Sequence, residues 1–327
     1  MTRSKHSAHF AMVFPGQGSQ SVGMLAELAA TFPVVAKTFA EASAVLDYDL
    51  WERVQQGPAE LLNQTPCTQP AMLTAGVATW RCWQGRSELV PALMAGHSLG
   101  EYTALVCAGA LDFSDAVRLV AKRGEYMQDA VPEGSGAMAA ILGLDDDQII
   151  AICERAAGGD VVSAVNFNSP GQVVIAGDAA AVQRAMELAR QAGAKRALPL
   201  PVSVPSHCAL MRPAADRFAE DIASVAIQAP GVPVLHNVDV TAHQSAEAIR
   251  DALVRQLYNP VRWVETVRVV RASGVTTVLE MGPGKVLAGL NKRIEKSMVA
   301  IPVQNPGELE QALAACQGTA ASQPGGE

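Results

Sequence analysis

Apolar residues fill HFAMVF at positions 9–14 and stop at Pro15-Gly16, the pattern of a buried strand that ends in a turn. Apolar positions then recur at helical spacing over 33–46 and 69–84. A second buried strand is expected over 90–95, followed by a helix of small and apolar residues over 98–108. Strands alternating with helices imply a mainly parallel sheet, and such sheets bind ligands at the carboxyl ends of their strands.

The pattern changes between Gly134 and Pro201. It predicts a strand over 137–142, a helix over 145–157, strands over 161–166 and 172–176, a helix over 179–192 and a strand over 195–199. This β-α-β-β-α-β order is ferredoxin-like and can close a small subdomain of its own. Helical and strand-like segments resume over 211–225, 246–257, 276–280 and 285–294. The expected class is therefore α/β, with a large subdomain built from 8–132 and 202–317, an inserted small subdomain at 133–201, and a flexible tail at 318–327 whose QGTAASQPGGE-like composition carries no apolar period.

Composition narrows the possibilities. With 327 residues, 49% of them hydrophobic and 17% charged, the chain can bury a large core. Residues 1–8 are polar, no apolar run approaches the roughly 18 residues of a membrane helix, and no signal-peptide pattern is present, so a cytoplasmic location is expected. Cys67, Cys82, Cys107, Cys153, Cys208 and Cys316 form no CxxC pair and have no His at ligand spacing, which argues against a zinc site and a disulfide framework. A net charge of −7 disfavours nonspecific nucleic-acid binding while permitting a local basic patch for an anionic ligand.

Candidate chemistry centres on GHSLG at 96–100, which fits G-x-S-x-G. In that nucleophile elbow a strained strand-to-helix turn lifts the serine hydroxyl out of the sheet, and the glycines remove side chains that would collide. The bare pattern arises by chance in roughly one chain of this length in ten, given Gly and Ser frequencies near 7%. Its context strengthens it: an apolar strand precedes, and a helix follows whose N-terminus favours a developing oxyanion.

Ser98 needs a base, and the chain has six histidines. His6 and His9 are N-terminal, His97 sits inside the elbow and points away from Ser98, His236 precedes a strand-end NVDV, and His243 lies in a polar stretch. His207, on the proline-stiffened turn of PVSVPSHCALM, is best placed to reach a site. Cys208 beside it is a rival nucleophile without an elbow. No carboxylate follows His207 closely, so the orienting third group is either an acid that spacing does not identify or a backbone carbonyl. FPGQGSQ at 14–20 fails both the dinucleotide and Walker phosphate patterns, and fits an oxyanion loop whose donor is the Gln17 backbone N–H.

FPGQGSQ at 14–20, TQPA at 68–71, GHSLGEYTAL at 96–105, KRGEYMQ at 122–128, VNFNSPGQVVIAG at 165–177, PVSVPSHCALM at 201–211, QLYNPVRW at 256–263 and GPGKVL at 282–287 together resemble the bacterial malonyl-CoA:acyl carrier protein transacylases of fatty acid synthesis. The resemblance implies a hydrolase-like mainly parallel core with a small ferredoxin-like subdomain and the site in the cleft between them. It implies Ser98 as the acylated nucleophile, His207 as its base, the Gln256 carbonyl as the imidazole's support, and the N–H groups of Gln17 and Leu99 as oxyanion donors. Arg123 would clamp the malonyl carboxylate, since a planar guanidinium binds both oxygens at once. Asn166 and Asn168 would shape the cleft from the small-subdomain side, although turn chemistry explains two Asn equally well. The implied partners are malonyl-CoA and an acidic holo acyl carrier protein, with Lys195, Arg196, Arg212, Arg262, Lys285, Lys292 and Arg293 as a candidate docking surface. No metal or cofactor is expected, the phosphopantetheine being carried by the two substrates, nor is nucleic-acid or membrane binding, and the chain is expected to be a monomer. Rival readings are a thioesterase, an acyltransferase of a polyketide or malonate decarboxylase system, and a noncatalytic carrier-binding module. Leu99 and the VPSH before the base resemble the malonyl-using fatty-acid enzymes.

Overall fold

β1 (Phe10–Phe14), five consecutive buried residues, is the middle strand of the larger of two sheets, where both faces are covered. The computed structural model describes residues 9–202 and 204–320, with side chains to residue 317. The other strands are β2 (Leu93–Gly96), β3 (Gly136–Leu142), β4 (Val162–Ser169), β5 (Gln172–Asp178), β6 (Arg196–Pro199), β7 (Val234–Leu235), β8 (Thr277–Met281) and β9 (Val299–Val303). The larger sheet runs β7-β2-β1-β8-β9 and every pairing in it is parallel. The smaller runs β4-β5-β3-β6, is antiparallel throughout, and packs the helices Asp146–Ala157 and Ala179–Gln191 over its own core of Ile141, Ile149, Val173, Ile175 and Val182. The α/β class with a parallel sheet and a separate antiparallel one is as the pattern predicts.

Register places the site. Phe14 lies opposite Gly96, so β1 and β2 leave the sheet side by side at their carboxyl ends, one into Pro15-Gly16-Gln17 and the other into His97-Ser98-Leu99. The smaller sheet is tied to this edge through β4: Val261 N–H donates to Val165 O at 2.8 Å and Phe167 N–H to Val261 O at 3.0 Å. Register shifts within β4 carry it past the expected end at 166.

Some elements are longer than the pattern predicts, and others escape it. The helix expected from 69 begins at Thr65, because Pro66 occupies its first turn, where a missing N–H costs nothing. The helix Phe113–Asp129 goes unmarked because Arg123 and Gly124 interrupt its buried stripe. A Cβ on Gly124 would stand 2.8 Å from Pro66 Cα and 2.9 Å from Thr65 O, so only glycine lets these two helices approach so closely. β7 is too short to leave a period, and β9 contains Pro302, which an edge strand tolerates. The helices Trp263–Ala272 and Pro306–Ala320 are likewise additions. Residues 318–320 continue that last helix instead of opening a tail. Residues 321–327 of the expected tail, and the polar stretch 1–8 with His6, lie outside the described residues.

Candidate active site

Between the end of β2 and the helix Gly100–Cys107 the chain turns through Ser98, whose φ is +52°. A non-glycine residue in this left-handed region carries roughly 1–2 kcal/mol of strain, so its surroundings must hold it. Glycine is obligatory on either side. A Cβ on Gly96 would lie 1.8 Å from Gly100 C, and one on Gly100 would lie 2.0 Å from Phe14 O.

Ser98 Oγ stands 2.7 Å from His207 Nε2. His207 Nδ1 is 2.7 Å from the Gln256 backbone O, which can only accept, so the proton sits on Nδ1 and the Nε2 lone pair faces the hydroxyl. The third group is thus a carbonyl and not an acid. Burial first and the neighbouring Arg123 guanidinium second bring the imidazole pKa down to about 3, against the opposing pull of the Gln256 carbonyl. His207 is therefore neutral and ready to accept a proton at any ordinary pH.

Arg123 is fully buried, with NH1 donating to Gln69 Oε1 at 2.9 Å and NH2 to Gln256 Oε1 at 3.0 Å. Its guanidinium lies 5.4 Å from the Tyr102 ring centroid, and its Nε has no partner. Among the described residues no carboxylate pairs with it. A buried cation held only by amide oxygens, in a cavity of about 110 Å³ shared with Ser98, His207, Gln17 and Leu99, is a site for a small anion. The loop of Gln17 abuts the elbow: a Cβ on Gly16 would lie 2.4 Å from His97 O and 3.7 Å from Leu99 N. The first N–H groups of a helix have no partner within it, which leaves Leu99 N–H at the N-cap free to face the same space. Beyond it opens a wider mouth of about 710 Å³, sharing Gln17, Leu200 and Val202 with the inner cavity and rimmed by Glu60 and Glu133.

Asn166 lines the inner cavity with a buried Oδ1 that has no partner. Asn168 lies outside it and holds His97 Nε2 at 2.8 Å, while Trp263 packs against that ring at 5.5 Å. His97 thus packs and does not face Ser98, as expected. His236 follows β7 and does not precede a strand, since NVDV is a turn; it is buried on Glu101 at 2.7 Å. His243 is paired with Asp239. All six cysteines are free thiols, and Cys208, the rival nucleophile, is buried with its Sγ on Pro205 O and its pKa pushed up to about 11 by burial. Among the described residues no group of three potential metal ligands occurs and no helix is long and apolar enough to cross a membrane.

Of the proposed docking residues, Arg262 is engaged by Glu265, Arg212 stacks over Tyr258 at 4.4 Å, and Arg293 donates to Gln172. Lys195, Arg196, Lys285 and Lys292 are exposed. Sequence reasoning assigned no part to Gln69, Glu101 or Asn237, all buried polar residues at the site. Gln69 and Glu101 lie within motifs already singled out, TQPA and GHSLGEYTAL, whereas Asn237 had no local signal at all.

Residues 11–311 match the family described as "Acyl transferase domain". The chain is 64% identical over 304 residues to the malonyl CoA-acyl carrier protein transacylase of Salmonella typhimurium, covering 93% of this chain and 98% of that protein. It superposes with a TM-score of 0.93 on the malonyl CoA-acyl carrier protein transacylase of Coxiella burnetii, 54% identical, over 96% of this chain and 99% of the other. A malonyl-transacylase solved in complex with its type II PKS acyl-carrier protein is 61% identical, with a TM-score of 0.93, over 94% of this chain and 99% of that one. Matched along nearly its whole length by relatives of this kind, the chain belongs to the acyl transferase domain family, among the malonyl CoA-acyl carrier protein transacylases.

Proposed function

We propose that this enzyme moves the malonyl group of malonyl-CoA to the phosphopantetheine thiol of holo acyl carrier protein, through an ester on Ser98, and so supplies the extender unit for fatty acid synthesis. The observation that carries the reading is the 2.7 Å contact of Ser98 Oγ with neutral His207 beside an unpaired buried Arg123.

In the first half-reaction His207 Nε2 takes the Ser98 proton as Oγ attacks the thioester carbonyl. The oxyanion forms against the N–H groups of Gln17 and Leu99, each such donor contributing about 3 to 4 kcal/mol to the transition state. The C–S bond then breaks, and the CoA sulfur takes the proton from the imidazolium. In the second half the carrier thiol gives its proton to His207 as its sulfur attacks the ester carbonyl; the Oγ–C bond then breaks, and Ser98 Oγ takes the proton back from the imidazolium. Arg123 serves both halves. Its charge disfavours the imidazolium in the empty site, and the malonyl carboxylate, by pairing with it, removes that penalty as the proton arrives.

Asn166 shapes the cavity, Asn168 acts through His97, and the basic docking surface reduces to the residues whose charge is not already paired. The division at 133 and 201 is supported by the separate core of the smaller sheet. The reading needs no metal or cofactor and fits a cytoplasmic monomer that binds neither nucleic acid nor membrane. A polyketide carrier is the second reading, favoured by the relative solved with a type II PKS carrier.

Intact-protein mass after brief exposure to malonyl-CoA or acetyl-CoA tests the proposal. A malonyl adduct should accumulate, and acetylation should be about a hundredfold slower for want of the Arg123 pairing. CoA release without an adduct would instead identify a thioesterase. The pH dependence offers an independent check. A lowered pKa leaves Nε2 unprotonated until pH falls through about 3, so kcat/KM should stay level from about pH 8 to about pH 5. Halving near pH 6.5, the ordinary value for histidine, would show an unshifted base.

A further inference from the structure

Asn237 is fully buried and does not line the inner cavity. Its Oδ1 accepts the Ser98 backbone N–H at 2.7 Å, and its Nδ2 donates to Gly96 O at 2.6 Å. One side-chain amide therefore brackets His97, from the start of the elbow at Gly96 to Ser98 at its centre, filling both roles that a neighbouring peptide group would fill. Asn237 is itself anchored, its backbone N–H donating to Glu101 Oε2 at 2.9 Å. Gln256 Nε2 reaches the same carboxylate oxygen and also the Ser98 carbonyl, each at 2.9 Å. His236 Nδ1 holds the other oxygen at 2.7 Å.

Both peptide groups flanking Ser98 are thus gripped by side chains, Asn237 on the N–H and Gln256 on the carbonyl, and both grips end on Glu101. The grip falls on the residue whose left-handed backbone aims Oγ at His207. We propose that Asn237, anchored on Glu101, is a positioning residue for acyl transfer, keeping the Ser98 backbone in the conformation that holds Oγ on His207 Nε2. The inference rests on Ser98 being the acylated residue.

The test uses the full-length enzyme and its Asn237→Ala and Asn237→Asp variants, with the acylation rate by malonyl-CoA followed by intact mass from about pH 8 to about pH 5. Asn237→Ala should slow acylation about 30-fold or more while leaving the apparent KM unchanged, because a displaced nucleophile lowers the rate and Arg123 is untouched. Asn237→Asp has the same shape. Ionised, it cannot donate to Gly96 O and adds a second carboxylate beside Glu101. Protonated, its O–H replaces the lost donor while its C=O still accepts from Ser98.

Its acylation rate should therefore rise several-fold as pH falls, where the native rate is level. The ionisable groups around that position are Glu101 from the helix Gly100–Cys107, His236 next in the chain, Asp239 of the same turn with its partners His243 and Arg255, the latter from the helix Ala246–Gln256, Arg262, whose backbone N–H donates to Asn237 O, and Arg123 through Gln256. Burial and the Glu101 charge both raise the new carboxyl's pKa, which brings its titration into this range. A purely structural asparagine would lower Tm and the amount of active enzyme without adding a titration.

Should Asn237→Ala fail to fold, the slope of the Asn237→Asp profile decides alone. A native acylation rate in Asn237→Ala, or a profile of Asn237→Asp parallel to the native one, would overturn the inference by itself. A native enzyme that forms no adduct would overturn the transferase reading and this inference with it.

Discussion

Ser98→Ala should form no acyl adduct, and His207→Gln should acylate about 10³ to 10⁴ times more slowly than the native enzyme. The two changes act on the two ends of one 2.7 Å contact, so the double variant should be no worse than Ser98→Ala alone. Neither should unfold the protein. The elbow strain belongs to the backbone at φ +52°, which Ala shares, and Asn237 and Gln256 grip peptide atoms that both variants keep. The measurement is CoA release together with intact mass, with Tm recorded alongside. An adduct persisting on Ser98→Ala would move the chemistry to another nucleophile, and Cys208 is a poor one. Its thiol is buried, bonded to Pro205 O, and titrates only near about 11.

The parts of this site that sequence alone made legible are those carried by local chain geometry. A glycine two residues before Ser98 and another two after it mark the elbow because each must pass within 2.0 Å of backbone if it bore a Cβ. FPGQG marks the loop proposed to supply an oxyanion donor because β1 ends there, and the Phe14–Gly96 register sets it beside the elbow. The imidazole's support was not legible by spacing, because a backbone carbonyl has no sequence identity; only the resemblance pointed to Gln256. Arg123 hid for a different reason. Its helix is charged on one face, and a lone Arg reads as part of that face until Gly124 brings the helix against Thr65 and Pro66 and buries it. Asn237 is 139 residues from the peptide it holds, a partnership that no period or motif records. The same holds for the elements: helices with an unbroken apolar period and the small antiparallel sheet were readable, whereas Phe113–Asp129, its stripe interrupted at Arg123 and Gly124, was not, and the two-residue β7 was visible only once β2 supplied its partner.

Arg123→Gln should lower kcat/KM for malonyl-CoA by about 10² to 10³, a loss of roughly 3 to 4 kcal/mol, and leave acetyl-CoA little changed, so that selectivity for malonyl collapses. The guanidinium supplies the only positive charge among the residues lining the inner cavity, and a carboxylate brought there without it would be buried unpaired. Arg123→Lys should recover little, because an ammonium cannot donate at once to Gln69, to Gln256 and to both oxygens of an incoming carboxylate. The same replacement has a second, opposite consequence. Arg123 is one of the causes of the depressed His207 pKa, so removing it should raise that pKa from about 3 and shift the acid limb of the acetyl reaction to higher pH. The two effects separate clamp from bystander. A residue that merely filled space would change neither selectivity nor the acid limb, and an Arg123→Gln enzyme that kept its malonyl preference would place the carboxylate elsewhere in the cavity. If selectivity falls while the acid limb stays put, the guanidinium binds substrate without acting on the base, and the link between carboxylate pairing and proton transfer is lost.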